Sequence, residues 1–231
     1  MLITAQNICK SFSNKNPNSN VNEVLKNISI EIEKGKITTI MGASGVGKST
    51  LLYILGTLEM PDSGSISLNF NEKKYDYSNL TEKELSQIRN KHIGFVFQFH
   101  HLLPEFTVVE NIMMPSLIFG NSMKNSEEKA LEIMKKIGIE KIKNQKPSEI
   151  SGGEQQRAAI ARALINSPDI IFADEPTGNL DSANSKIVID LLKEINISMN
   201  ITCVIATHSN EIAAQSDRVI KMQDGKIVIN D

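Results

Sequence analysis

The stretch Gly42-Ala43-Ser44-Gly45-Val46-Gly47-Lys48-Ser49 leaves this chain the fewest folds to choose from. It fits the pattern G-x-x-x-x-G-K-[ST], and its flanks have the order that pattern needs. An apolar run, Lys36 to Met41, reads as a strand leading into it, and Lys48 to Leu58 reads as a helix leading out. Glycines reach positive φ without steric cost, so the backbone N–H groups of such a turn point inward onto a phosphate chain. The helix start adds the positive end of its dipole. On this pattern Lys48 reaches the β- and γ-phosphates of a nucleotide, and the Ser49 hydroxyl ligates Mg2+. The bland alternative, a glycine-rich turn with an accidental lysine, fits poorly with a strand before and a helix after.

Around that turn the pattern is mixed. Leu2 to Phe12 and Val24 to Glu33 carry β-branched alternation, with a polar loop expected over Asn14 to Asn20. Pro61 to Gly64 reads as a turn and Ser65 to Phe70 as a strand. Thr81 with Glu84 makes a capping box for a helix to about Asn90, and His92 to Phe97 is a further strand. From Thr107 to Lys136 the period is helical, with interruptions expected at Pro115 and at Gly120 to Asn125. Ala130, Met134 and Ile137 fall on one face of the second piece. A helix capped by Ser151 runs from about Gly153 to Asn166.

The last third alternates: strand Asp169 to Ala173, helix Ala183 to Ile197, strand Ile201 to Ala206, short helix Asn210 to Gln215. A hairpin around Asp224-Gly225 joins Arg218 to Met222 with Lys226 to Ile229. On the Ala183 to Ile197 helix, Ile187, Val188, Leu191, Leu192 and Ile195 are expected on one side. Near-continuous apolar strands alternating with helices indicate a parallel sheet covered on both faces, with the middle helical part inserted into it.

Two further patterns carry chemistry. Ile170 to Ala173 ends in Asp174-Glu175, a metal-holding carboxylate followed by one able to polarise water. Alone, such a pair is a solvated turn; beside a phosphate loop it favours hydrolysis over transfer. Ser151-Gly152-Gly153-Glu154-Gln155 opens a helix with a hydroxyl cap and two glycines. It is either an ordinary capped helix or a second phosphate site, which makes most sense closing over nucleotide held by another copy.

Charge excludes other classes. With 25 Lys+Arg against 27 Asp+Glu the net charge is −2, short of the basic excess that nucleic acid or anionic lipid demands. At 40% apolar residues, disorder is excluded as well. No apolar run reaches bilayer length, and Met1-Leu2-Ile3-Thr4 does not read as a secretory leader. Cys9 and Cys203 sit amid strand-like residues, so the expectation is a reducing cytosol rather than a disulfide scaffold.

Taken in order, the phosphate loop, Gln98 at a strand end, Ser151 to Gln155, Asp174-Glu175, Asn179-Leu180-Asp181 and His208 resemble the ATP-binding cassette ATPases across essentially the whole chain. The resemblance implies an α/β fold: a P-loop NTPase (RecA-like) parallel-sheet core, an antiparallel β-subdomain and a helical subdomain inserted at about 99–150. All of it would form a single cassette over 1–231. It implies ATP and Mg2+, hydrolysis of ATP to ADP and phosphate, and a head-to-tail dimer with two nucleotides at the seam. In that scheme Glu175, His208 and Gln98 are catalytic. Phe12, Gly42, Ala43, Ser44, Gly45, Val46, Gly47, Lys48, Ser49 and Thr50 bind nucleotide, as do Ser151, Gly152, Gly153 and Gln155 from the second copy. Ser49, Gln98 and Asp174 serve the metal, and Asp181 passes the state of one site to the other. Two residues depart from the family's habit: Phe12 stands where Tyr commonly stacks on adenine, and Ser209 follows His208 where Asp is usual.

Four of the eight phenylalanines, Phe95, Phe97, Phe99 and Phe106, fall close together around His100-His101-Leu102-Leu103-Pro104-Glu105. Packing between sheet and helices is one reading; a partly exposed groove for a docking partner is the other. The paired histidines lack nearby cysteine and diverge, so no metal site is expected there. The string Gln98 to Thr107 is similar to the ATPase subunits of bacterial lipoprotein-releasing systems. That similarity implies a place on the cytoplasmic face of the inner membrane, bound to integral-membrane permease subunits. Exporters of macrolides or peptides and cell-division complexes are the near rivals. A cassette acting on DNA is disfavoured because the stretch from Gln98 to Ser151 is too short for a long coiled coil, and ribosomal members usually join two cassettes. A small-molecule kinase fits Glu175 poorly.

Overall fold

A computed structural model of the chain describes residues 1–12, 22–70 and 72–230. In chain order the elements are β1 (Ile3–Phe12), β2 (Asn22–Ile32), β3 (Ile37–Met41), α1 (Lys48–Leu55), β4 (Ser63–Phe70) and β5 (Lys73–Asp76). Next come α2 (Glu82–His92), β6 (Ile93–Val96), α3 (Val108–Ile118), α4 (Met123–Lys136), α5 (Gly152–Leu164), β7 (Ile170–Asp174) and α6 (Ser182–Met199). The chain closes with β8 (Thr202–Thr207), α7 (Asn210–Ala213), β9 (Arg218–Gln223) and β10 (Lys226–Asn230). These elements form two compact units, Met1–Ser86 with Thr202–Asp231, and Gln87–Ile201.

In the first unit β2, β1, β4 and β5 make an antiparallel sheet in that order. Its buried side takes Ile3 and Ala5 in alternation, then resumes at Ile8 and Lys10 after a bulge with Asn7 at φ 54° that shifts the register by one residue. Beside it, β3 lies between β8 and β9 in parallel register, with Ile40 opposite both Ala206 and Ile220. All six residues of β8 are buried, as expected of a parallel strand covered on both faces. The β9–β10 hairpin turns through Asp224 at φ 49° and Gly225 at φ 78°, the double positive φ of a type I′ turn. Burial pushes the Cys203 thiol on β8 up to about 12, which leaves it protonated and unreactive.

In the second unit β6 pairs in parallel with β7, whose five residues are all buried. A core of Val108, Ile112, Ala130, Met134, Ala158 and Ala161 joins α3, α4 and α5, with Ile137 packed at its edge. Capping boxes start α3 and α5, where Thr107 pairs with Glu110 and Ser151 with Glu154. Hydrogen bonds from Thr107 and Ser151 hold both carboxyls below the usual range.

Several boundaries differ from the sequence reading. Helix α1 ends at Leu55, earlier than Leu58, where the Gly56 N–H returns to the Leu52 carbonyl. His92 closes α2 rather than opening β6, and β5 carried no recognisable strand pattern. Pro115 lies inside α3 without ending it. Its carbonyl accepts from the side-chain amides of Asn90 and Asn166 at 3.1 Å each, tertiary bonds that offset the one proline cannot donate. The chain breaks instead at Gly120, φ 100°, and α4 already begins at Met123 behind the Ser122 cap. On α6 Ile187 is 47% exposed, flanking rather than joining the buried stripe of Val188, Leu191, Leu192 and Ile195. The loop expected over Asn14 to Asn20 lies outside the described residues.

Candidate nucleotide-binding site

Each unit carries its own share of the expected site. On the first, Gly42 to Gly47 turn from β3 into α1 with Gly45 at φ 81° and Gly47 at φ 101°. Crowding adds to the demand for glycine at Gly42, where a Cβ would stand 2.6 Å from the Met222 carbonyl oxygen. Gly47 is the N-cap of α1, and no side chain caps that helix start. An anion is the natural cap for such an end. Lys48 is buried, and its Nζ folds back to the carbonyls of Gly42 (2.9 Å) and Ala43 (3.1 Å). The ammonium thus stands at the mouth of the loop and braces it from within. Ser49 and Thr50 follow on the first turn of α1.

Gly42, Ala43 and Val46 share a cavity of about 670 Å³ with His208, Asn210 and Lys221, so loop and histidine come together. Ser209 caps α7, its hydroxyl accepting from the Ile212 N–H at 3.5 Å. A serine therefore fills the capping role open to Asp at this position. Phe12 ends β1 with 45% of its surface exposed, and the Lys10 Nζ lies 5.3 Å from its ring centroid. An aromatic ring exposed to that extent is of the kind that stacks on a base.

On the second unit Asp174 ends β7, buried to 7% exposure. Glu175 follows in the left-handed region at φ 44°, which takes it out of the strand's alternation. The Gly178 N–H closes the turn onto the Glu175 carbonyl at 3.0 Å. Gln98 and Asn179 hold each other: the Gln98 Nε2 donates to the Asn179 Oδ1 (3.4 Å), and the Asn179 Nδ2 to the Gln98 carbonyl (3.2 Å).

The Ser151 to Gln155 turn meets the Asn179 to Asp181 segment. A Cβ on Gly152 would lie 3.6 Å from the Leu180 Cδ2, and one on Gly153 only 2.1 Å from the Asn184 Oδ1. Asp181 caps α6 through the Asn184 N–H and also accepts from its Nδ2, each at 2.8 Å. Gln155 turns inward, its Nε2 donating to the carbonyls of Pro147 (2.9 Å) and Ile150 (3.3 Å). Asn184 escaped sequence reading, since nothing local ties it to Gly153. Gly153→Ala is expected to push Asn184 off Asp181, costing about 1–3 kcal/mol of stability and most of any nucleotide-driven dimerisation. Thermal melting and size-exclusion chromatography with ATP check this; a variant that melts and dimerises like the parent refutes the contact.

Magnesium takes hard oxygen donors in octahedral geometry and keeps several of its waters. Ser49, Asp174 and Gln98 offer such oxygens, while no cluster of three or more His, Cys, Asp or Glu among the described residues could cage an ion. Each of the three is a hard oxygen donor of the kind Mg2+ takes.

The phenylalanines divide. Phe95 stacks on Phe97 and on Phe172, 5.6 Å between centroids in each case, whereas Phe99 is 70% exposed. Leu103 and Phe106 are also exposed, but Leu102 packs on the α3–α4–α5 core. Packing accounts for Phe95 and Phe97, while Phe99 is left exposed. Asn111 pins the far end of this loop: its Oδ1 accepts from the Leu103 N–H, and its Nδ2 donates to the carbonyls of Leu103, Phe106 and Thr107.

A phosphate loop between a parallel strand and a helix, with a carboxylate pair at the end of a second parallel strand, marks a P-loop NTPase. The chain belongs to the ABC transporter family, whose model matches residues 25–178, and within it to the LolD group of lipoprotein-releasing system ATP-binding proteins. It is 47% identical to the LolD of Legionella pneumophila (strain Paris), over 98% of this chain and 97% of that protein. To the LolD of Aquifex aeolicus (strain VF5) it is 50% identical over 89% of this chain and 90% of that one. Among solved structures it is similar to the cassette MJ0796, a dimer in a post-hydrolysis state bound to ADP and Pi. There the TM-score is 0.89 at 36% identity, covering 99% of this chain and 97% of that one. The expected P-loop NTPase fold with its parallel core and antiparallel sheet is thereby established.

Proposed function

We propose that this chain is the ATP-hydrolysing subunit of a transporter that releases lipoproteins from the bacterial inner membrane, working as a head-to-tail pair at the cytoplasmic face. The observation that carries this reading is the near-full-length identity, 46% or more, to LolD proteins of Legionella pneumophila, Aquifex aeolicus and Bacteroides fragilis. Among the described residues no helix is long and apolar enough to cross a membrane, so the spans would belong to permease subunits.

Gly42 to Thr50 wrap the phosphates with backbone N–H groups, and Lys48 neutralises their terminal charge. Ser49, Gln98 and Asp174 are the residues that would hold Mg2+, which when bound would supply electrostatic stabilisation of the charge developing on the phosphates. Glu175 accepts hydrogen-bonded water and polarises it toward the γ-phosphate; Gln98 orients the same water, and His208 holds the γ-phosphate. Phe12 stacks on adenine. Ser151 to Gly153 of the second copy close the site from the other side, so neither copy completes a site alone. Joined to the closed pair, a cytoplasmic helix of the permease rests on Phe99, Leu103 and Phe106.

The deciding experiment reconstitutes the chain with the permease subunits of a lipoprotein-releasing system, in vesicles loaded with a lipoprotein. Release of the lipoprotein that requires ATP supports the proposal; ATP hydrolysis that drives export of a macrolide or peptide and leaves the lipoprotein in place overturns it. In the same system Phe99→Ala is expected to cut release by about tenfold or more, the effect of losing an apolar anchor. Hydrolysis by the isolated chain should stay within about twofold. Phe99 is the clean probe because Leu102 belongs to the core. Equal loss of both activities would place Phe99 in folding rather than docking.

A further inference from the structure

We propose that Arg162 is a positioning residue for Gln98 and Phe99: its guanidinium fork holds the loop that follows Gln98 in a backbone conformation the loop would not keep alone. His100 and His101 stand consecutively in the left-handed region, at φ 58° and 48°. Side-chain-bearing residues visit that region singly and at a cost, so two in succession need an external hold. Arg162, on the last turn of α5, supplies one: its Nη2 donates to the His100 carbonyl at 2.7 Å and its Nη1 to the His101 carbonyl at 2.6 Å. A planar fork suits two carbonyls set side by side, and charge-assisted bonds of this length are the strong ones.

The rest of the loop is tied on either side of this clamp. The His101 ring meets Phe97 edge-on at 5.0 Å. Beyond it Asn111 fixes 103–107. Between these anchors the left-handed pair decides which way Phe99 points and where Gln98 leaves β6. The same α5 begins at Ser151-Gly152-Gly153, so one rigid helix carries both that turn and the clamp. A shift of this helix is therefore felt at Gln98 and at the exposed Phe99 ring together.

The kinetic part of this inference rests on the chain hydrolysing ATP as proposed above; the stability part does not. Arg162→Met keeps the stem and removes the donors. It is expected to lower kcat for ATP by about tenfold or more while KM changes less than about twofold, because a misplaced Gln98 mainly disturbs the reacting water while Lys48 and the phosphate loop still capture the nucleotide. Melting should fall by about 5 °C. The decisive readout is rescue: glycine occupies positive φ freely, so in a His100→Gly/His101→Gly background the same Arg162→Met change should cost less than half as many degrees. Equal losses in both backgrounds, or a raised KM with unchanged kcat, overturn the assignment. If Arg162→Met does not fold, recovery of folded protein by the two glycines supports it and failure to recover overturns it. A parent chain with no ATPase activity would instead sink the proposed function, and the melting comparison would still judge the clamp.

Discussion

With Glu175 replaced by Gln, the chain is expected to bind ATP, lose about a hundredfold to ten-thousandfold in turnover, and accumulate as a dimer. The physical reason lies in the turn after β7. Asp174 stays buried at the strand end, in place for a cation, while Glu175 leaves the strand in a left-handed conformation. In the proposed mechanism, removing its charge deletes the base that polarises water, a term worth about 10²–10⁴ in rate, and leaves the phosphate contacts untouched. An isosteric amide also removes one negative charge facing the γ-phosphate, which strengthens closure on intact ATP. Size-exclusion chromatography with and without ATP, beside a phosphate-release assay, measures both effects. Only monomer at high protein concentration with ATP present would count against the paired site.

The second large effect is expected at Lys48. Its ammonium is the charge nearest the bound phosphates in the proposed mechanism, and it braces the loop through the carbonyls of Gly42 and Ala43. Lys48→Ala removes a desolvated charge contact, a loss of about 2–5 kcal/mol, or roughly thirtyfold to several thousandfold in ATP affinity. Titration with a fluorescent ATP analogue tests this, and micromolar binding retained by a well-folded variant would sink the assignment. Because Lys48 is buried, a melting curve belongs beside the titration to separate lost binding from a collapsed loop.

Most of the phosphate site was legible along the chain because its determinants act within a few residues. Gly45 and Gly47 stand at positive φ where the pattern demands it, and Thr81, Thr107 and Ser151 each take their acid three residues on. Strands buried on both faces, such as β7 and β8, announced themselves as apolar runs. Pro115 misled because its penalty is local whereas its compensation comes from Asn90 and Asn166, on other elements. Ile187 misled because a wide apolar arc does not say which edge is covered.

By itself the amino-acid sequence determined the kind of site: a glycine turn, a lysine, a carboxylate pair and a second capped turn, each set by backbone sterics and hydrogen bonds between near neighbours. Tertiary structure alone decided how those pieces are held. Gln98 is oriented by Asn179, the backbone of Gly153 is pressed against Asn184, and Arg162 reaches the carbonyls of His100 and His101. It also decided which phenylalanines stack inside and that Phe99 stays out. Such contacts join residues far apart in the chain, where no period or spacing links the partners, so only the packed fold brings them within bonding distance.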